Sequence, residues 1–178
     1  MNTRFTTFPY LETGRLRLRP LSKGDAAAVF RLRSDPEVAK LTGRKPAQHL
    51  DEARAFIEKI DRLVKENTSL YWAISYREKQ DLIGTICIFN YDLKSEEIET
   101  GYELLPQYRR KGIMSEAITT IIDFALSVIG AKAVVACLSI HNSASINLLE
   151  KNGFKVVEYL INESNNEEEA LLTYRRAF

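Results

Sequence analysis

The chain has 178 residues, 45% hydrophobic and 28% charged, with 25 Lys and Arg against 24 Asp and Glu for a net charge of +1. That length suits one domain with a real core and not two comfortable ones. The charge balance argues against a dedicated nucleic-acid binder, which would carry a strong basic excess.

Two cysteines, Cys87 and Cys137, sit in apolar strand-like runs without Cys-x-x-Cys spacing. Both are expected to be reduced core residues of a cytoplasmic protein. The opening "MNTRFTTFPY" lacks the apolar stretch of a signal peptide. The longest apolar run, "AITTIIDFALSVIGA", contains Asp123 and is too short to cross a bilayer, so no membrane partner is expected.

In chain order, "RLRLRPL" alternates strictly, with Leu16 and Leu18 on one face and Arg15, Arg17 and Arg19 on a solvated other, and Pro20 ends this strand. "SKGDAAAVFRLRSDP" reads as a helix that stops before Pro36. A second helix follows in "AQHLDEARAFIEKIDRLVKEN", whose apolar residues Leu50, Ala53, Phe56, Ile57, Ile60, Leu63 and Val64 recur at helical spacing. The period then changes. "LYWAISYR" and "LIGTICIFNY" are strands joined by a hairpin-type connection at "EKQD", and "EEIETGYELLP" is a third strand stopped by Pro106. A long helix in "RRKGIMSEAITTIIDFALSVIGA" carries Ile118, Ile121, Ile122, Ala125, Leu126 and Ile129 on one stripe, with Gly130 as its C-terminal cap. "KAVVACLSI" has the pattern of a strand buried on both faces. "NSASINLLEKNG" is a short helix between Asn142 and Gly153, and "FKVVEYLI" and "ALLTYRR" are strands flanking the polar loop "NESNNEEE". The predicted order is β-α-α-β-β-β-α-β-α-β-β, a mixed α/β class, with residues 1–178 as a single domain and no internal repeat.

One stretch carries chemistry. "YRRKGIMSEA" places Arg109, Arg110, Lys111 and Gly112 between a strand and the start of a helix. Free backbone N–H groups and the positive end of the helix macrodipole stabilise an anion such as a diphosphate there. Gly112 lets the backbone approach without a Cβ. Taken alone, a basic loop before a helix is more often solvated surface, and no Gly-Lys-Ser/Thr or Gly-x-Gly-x-x-Gly is present.

With "LETGRLRLRPL", "ETGYELLPQYRRKGIMSEA" and "HNSASINLLEKNGF" in that order, the chain resembles the GNAT superfamily of acyl-CoA-dependent N-acyltransferases, and within it the RimJ/RimL-type group. The family turn is written Arg/Gln-x-x-Gly-x-Gly/Ala, and Arg109 to Met114 match it, except that Met114 stands at the last small position. The resemblance implies the GNAT fold with splayed central strands and acetyl-CoA as cosubstrate. Its diphosphate would lie on the main chain of Arg109, Arg110, Lys111, Gly112, Ile113, Met114 and Ser115. The pantetheine arm would run between "EIETGYELL" and "KAVVACLSI", held by the main chain of Leu104 and Leu105, with one N–H of that pair facing the thioester oxygen. Met114 must then turn its side chain away from the diphosphate.

Alternation puts Glu99, Gly101 and Glu103 on one face of their strand, so either carboxylate is a candidate base for the amine; Glu99 falls on the glutamate of the "Glu-x-Gly-Tyr" pattern. Many relatives carry a tyrosine acid in the helix after the fifth strand. Here Leu149 occupies that place, which leaves Ser145, relayed through water, as the candidate that protonates the thiolate. Asn142 either caps its helix or binds the pantetheine amide, and Asn147 is a weaker cofactor contact. His49 and His141 have no metal-ligand spacing, and no metal is expected.

The implied function is direct acetyl transfer to a primary amine, either a protein N-terminus or a small molecule such as a polyamine, amino acid or aminoglycoside. The alternative is a non-catalytic acyl-CoA-binding regulatory module on the same fold. A monomer or homodimer is expected. The acceptor wall is expected from the two N-terminal helices and the "NESNNEEE" loop, whose Glu163, Glu167, Glu168 and Glu169 would suit a polyamine.

Overall fold

Alternating apolar runs build one eight-stranded sheet, seen in a computed structural model that describes residues 1–162 and 169–178. The strands are β1 (Leu11–Glu12), β2 (Leu16–Pro20), β3 (Leu70–Tyr76), β4 (Gly84–Asp92), β5 (Glu97–Leu104), β6 (Ala133–Ser139), β7 (Lys155–Asn162) and β8 (Glu169–Ala177). Their spatial order is β1-β2-β3-β4-β5-β6-β8-β7. Only β5 and β6 pair in parallel, and a parallel pair needs a crossover, which a helix supplies here. The helices are α1 (Ala26–Ser34), α2 (Pro36–Leu41), α3 (Leu50–Lys65), α4 (Ile113–Phe124) and α5 (Ser143–Lys151). None among the described residues is long and apolar enough to cross a membrane.

Two elements go beyond the predicted order: the two-residue strand β1 and the helix α2. The expected stop before Pro36 is real, since α1 ends at Ser34, but the chain restarts at once. Asp35 adopts extended backbone and its Oδ1 accepts from Val38 N at 3.0 Å, while Pro36 opens the next helix. An acidic N-cap followed by proline at the first helical position is a start signal as much as a stop.

Two apolar clusters sandwich the sheet. The larger joins inward residues of β2 to β6 (Leu16, Trp72, Ile86, Ile98, Val134) to Ile118, Ile121 and Ile122 of α4 and Leu149 of α5. The smaller lies on the opposite face, where Val29 of α1 and Ala53 and Ile57 of α3 cover Ala73 of β3. Trp72 is fully buried and donates its indole N–H to Pro9 O at 2.7 Å, which ties the N-terminal segment to the sheet.

Three expectations about burial need correction. Leu126 was placed on the apolar stripe of α4 but is 49% exposed. The helix widens into a π turn over Ala125–Ile129, which shifts the face by about one residue before Gly130, at φ 73°, closes it. Arg19 does not lie on a solvated strand face: its guanidinium pairs with Asp25 at 2.7 Å, with both side chains largely buried. Cys137 is exposed, not a core residue, because the sheet opens beside it. The far edge strand β7 also leaves Val156, Val157, Tyr159, Leu160 and Ile161 exposed.

That opening positions the site. β5 and β6 share a register only from Glu97↔Ala133 to Glu99↔Val135. Beyond it β5 follows β4 to the pair Gly84↔Leu104, and β6 follows β8 to Ser139↔Leu171. Each strand stays with its antiparallel neighbour, so the sheet forks between them.

Candidate functional site

The turn after β5 is a concave array of donors. Pro106–Tyr108 make one 3-10 turn, and then Arg110 (φ 60°) and Gly112 (φ 72°) both take the left-handed conformation. Left-handed residues alternating with right-handed ones curl successive amides inward into an anion nest. The first amide of the helix start to find an acceptor is that of Glu116, which donates to Gly112 O at 3.1 Å. The amides from Arg110 to Ser115 have no acceptor among the described residues. Ile113 and Met114 are buried in the core, so their side chains turn away and only their main chain faces the nest. The large side chain of Met114 is accommodated as the sequence requires. A diphosphate fits this donor set by charge and by count of free N–H groups.

Cations surround the nest. Arg110 and Lys111 are exposed, and Arg109 reaches Leu104 O at 3.4 Å and Glu37 at 3.3 Å. From Gly112 an open groove of about 840 Å³ continues over α4, between Arg15, Ser115, Thr119 and Lys151. Arg15 holds Glu116 at 2.5 Å, and Thr13 bonds the same carboxylate. Burial pushes that carboxyl up, but Thr13 and Arg15 outweigh it and leave it below the usual range. Asn152 joins the end of α5 to this helix, donating to Leu148 O at 2.7 Å and to Ser115 at 3.3 Å and accepting from Thr119 at 3.1 Å. The sequence reading stopped at neighbouring Gly153 and missed it.

Inside the fork the main chain of β5 is partly committed. Leu105 N donates to Ile83 O at 3.0 Å, so Leu105 is not the free donor of the pair. Antiparallel alternation then directs the Leu104 N–H away from β4, toward the gap.

On the α1/α3 face, the two candidate bases have different partners. Glu103 is clasped by Arg44 at 3.0 Å, with side-chain exposures of 14% and 16%. Among the described residues Glu99 accepts only from the neutral amide of Asn90, at 2.7 Å. Cys87, between them on β4, is half-buried, and its desolvation above all pushes its thiol up to about 12. Burial, then the charge of Glu99, raises the thiol of exposed Cys137.

On the α4/α5 face, Tyr102 of β5 looks at α5. Burial pushes its phenol up to about 12, and Ser145 beside its hydroxyl pulls partly the other way. Ser145 N also donates to Asn142 Oδ1 at 3.1 Å, so Asn142 does cap its helix. Asn147 is exposed, and Leu149 is fully buried, far from any role in solvent chemistry. Tyr102 was passed over because alternation put it opposite the glutamates; its position in "GYELL" facing the fork was the available signal.

His49 starts α3 and His141 is exposed; among the described residues no His, Cys, Asp and Glu group could hold a metal ion. The expected acceptor loop falls mainly on residues 163–168, outside the described residues.

The comparisons agree with this geometry. Residues 15–155 match the family model of the acetyltransferase (GNAT) domain. The protein named uncharacterized N-acetyltransferase YoaA from Bacillus subtilis is 34% identical over 148 residues, covering 83% of this chain and 84% of its own length. Among solved structures, spermidine N-acetyltransferase from Vibrio cholerae, in complex with CoA and spermine, superposes with a TM-score of 0.80 at 18% identity, over 93% of this chain and 96% of that one. The ribosomal α-N-protein acetyltransferase RimL, in complex with coenzyme A, gives 0.79 at 15% identity over 96% and 98%. The fold is that of these acetyltransferases, and with a donor nest beside a forked sheet, the chain belongs to the GNAT family and is an N-acetyltransferase.

Proposed function

We propose that this N-acetyltransferase takes its acetyl group from acetyl-CoA and passes it directly to a primary amine, as one domain working in the cytoplasm as a monomer or homodimer. The observation that carries this reading is the row of unpartnered amides from Arg110 to Ser115, set at the mouth of the β5–β6 fork. The amides, with Arg109, Arg110 and Lys111, hold the diphosphate. The arm of the cosubstrate lies in the fork along Leu104, and the spermidine N-acetyltransferase and RimL structures, both with CoA, support the choice of ligand. The resemblance of "LETGRLRLRPL" and "HNSASINLLEKNGF" to RimJ/RimL-type chains favours that branch, with a protein N-terminus or a small amine as acceptor.

The two faces divide the work. The nest and α5 occupy one side of the sheet, so the amine enters from the α1/α3 side. Glu99, free of a cationic partner, accepts the ammonium proton directly or through water. The Leu104 N–H faces the developing oxyanion. Tyr102, kept protonated by burial, donates toward the departing thiolate with Ser145 beside it, in place of the tyrosine that Leu149 displaces. Glu103, Asn142 and Asn147 are carried as a positioning carboxylate, an arm contact and a peripheral contact. Among the described residues no cysteine or serine side chain bonds a histidine ring, which favours direct attack over a covalent enzyme intermediate.

Thiol release from acetyl-CoA, screened over peptides and small amines, tests this. Glu99→Gln should lower kcat/KM by roughly 10²–10⁴-fold, and Tyr102→Phe should lower kcat with little change in KM. Failure to bind acetyl-CoA in calorimetry, or binding with no thiol released for any amine, defeats the reading.

A further inference from the structure

The α1/α3 face of the fork holds two neighbouring arginines, Arg33 and Arg44. Arg44, on the loop between α2 and α3, binds Glu103 and also donates to Arg33 O at 2.7 Å. Its Nε is buried and has no hydrogen-bond partner among the described residues. Arg33, on the last turn of α1, stacks its guanidinium over the ring of Phe56 with 3.9 Å to the centroid. Its side chain makes no hydrogen bond or ion pair among the described residues, though it lies near Arg44, Glu103, Tyr71 and Glu52. Burial and the neighbouring Arg44 both disfavour its charge. Glu52, a second carboxylate nearby, is oriented by the amides of Gln48 and His49, from which its Oε1 accepts at 2.7 and 2.8 Å. The hydroxyl of Tyr71 donates to Thr85 at 3.0 Å.

Of the two neighbouring guanidinium groups, Arg44 is paired with Glu103 and Arg33 has no hydrogen-bonded partner among the described residues. Stacking on Phe56 holds Arg33 flat and fixes its N–H groups in a plane, which is the geometry that grips a carboxylate by two parallel bonds. A polyamine brought to the same place would set a second ammonium beside the Arg33 guanidinium. Resting on the acetyl-transfer reading above, we propose that the acceptor is a primary amine that itself bears a carboxylate, which Arg33 binds while Arg44 keeps Glu103 from competing for it. A free amino acid and a peptide with acidic side chains near its N-terminus share this chemistry. The polyamine expected from the acidic "NESNNEEE" stretch does not.

The test is competitive turnover by the full chain at fixed acetyl-CoA, with four acceptors: a free amino acid, an acidic peptide amide, its neutral isosteric counterpart, and spermidine. The carboxylate-bearing amines should exceed the neutral peptide in kcat/KM by about tenfold or more, since only they can form the paired charge-assisted bonds to the guanidinium. Spermidine should rank last. The two carboxylate-bearing acceptors, compared with each other, identify the source. Arg33→Gln should collapse the ratio of anionic to neutral acceptor toward one, and Arg33→Lys should keep part of it. Preference for spermidine, equal use of neutral and anionic amines, or a ratio that Arg33→Gln leaves unchanged overturns the proposal while acetyl transfer stands. Absence of acetyl-CoA binding overturns both.

Discussion

Gly112 shows how much one backbone angle decides. At φ 72° it bends the chain so that the amides on either side face one point. A Cβ there would lie 3.2 Å from Arg15 Nη2, the end of a flexible side chain that can yield. The conformation itself is the larger cost, about 1–2 kcal/mol for an L-residue in the left-handed region. Gly112→Ala should lower stability by about that amount in urea denaturation, and calorimetry should show weaker acetyl-CoA binding than the loss of stability explains. Glu99 and Glu103 make the same point with side chains. They share a strand face, yet a guanidinium on Glu103 and a neutral amide on Glu99 leave them with different chemistry.

How β2 joins α1 depends on a small polar cluster. Asp25 accepts from both terminal nitrogens of Arg19, at 2.9 and 2.7 Å, and from the amide and hydroxyl of Ser22, at 2.8 and 2.9 Å. Burial pushes its carboxyl up, but the bonds from Arg19 and Ser22 outweigh burial and hold it below the usual range. A carboxyl whose pKa is lower in the folded chain contributes its stability in full above the unfolded value of about 3.9. That contribution disappears as pH falls through the folded value. Asp25→Ala also strands the Arg19 charge in a largely buried place, so it should cost about 3–5 kcal/mol at pH 7. Chemical denaturation should find the gap between variant and parent shrinking as pH falls below about 3.9, where the unfolded chain takes up a proton that folded Asp25 resists.

The sheet as a whole behaves as two antiparallel blocks, β1 to β5 and β6 to β8, joined along a short parallel seam. The fork follows because neither block can bend to keep pairing without breaking its own ladders. Thiol reactivity reads this arrangement directly. Cys87 lies within the first block, half-buried with a thiol pushed up to about 12, and Cys137 lies beside the opening, exposed. A thiol-specific reagent should modify Cys137 in the folded protein and reach Cys87 only on denaturation. Equal reactivity of both would mean that the seam extends further than the register shows, or that β4 opens with it.

Local periodicity was enough to order the strands and helices and to set Glu99 and Glu103 on one face, and the basic glycine turn stood out as a candidate anion site. Those features are written in spacings of two, three and four residues, and the chain realises them with neighbours close in sequence. The helix at Pro36 was also written locally, in Asp35 and its proline, but read only as a stop. What no local pattern holds is which distant groups meet. Arg44 lies 59 residues from the carboxylate it clasps, and Tyr102 meets Ser145 only after a crossover helix has brought α5 to the same face. The exposure of Cys137 and the rotation of Leu126 follow from a fork and a π turn, both products of how whole elements compete for partners. A sequence can name the face on which a side chain stands; packing alone chooses what stands opposite, because pairing energy is shared among strands and not assigned residue by residue.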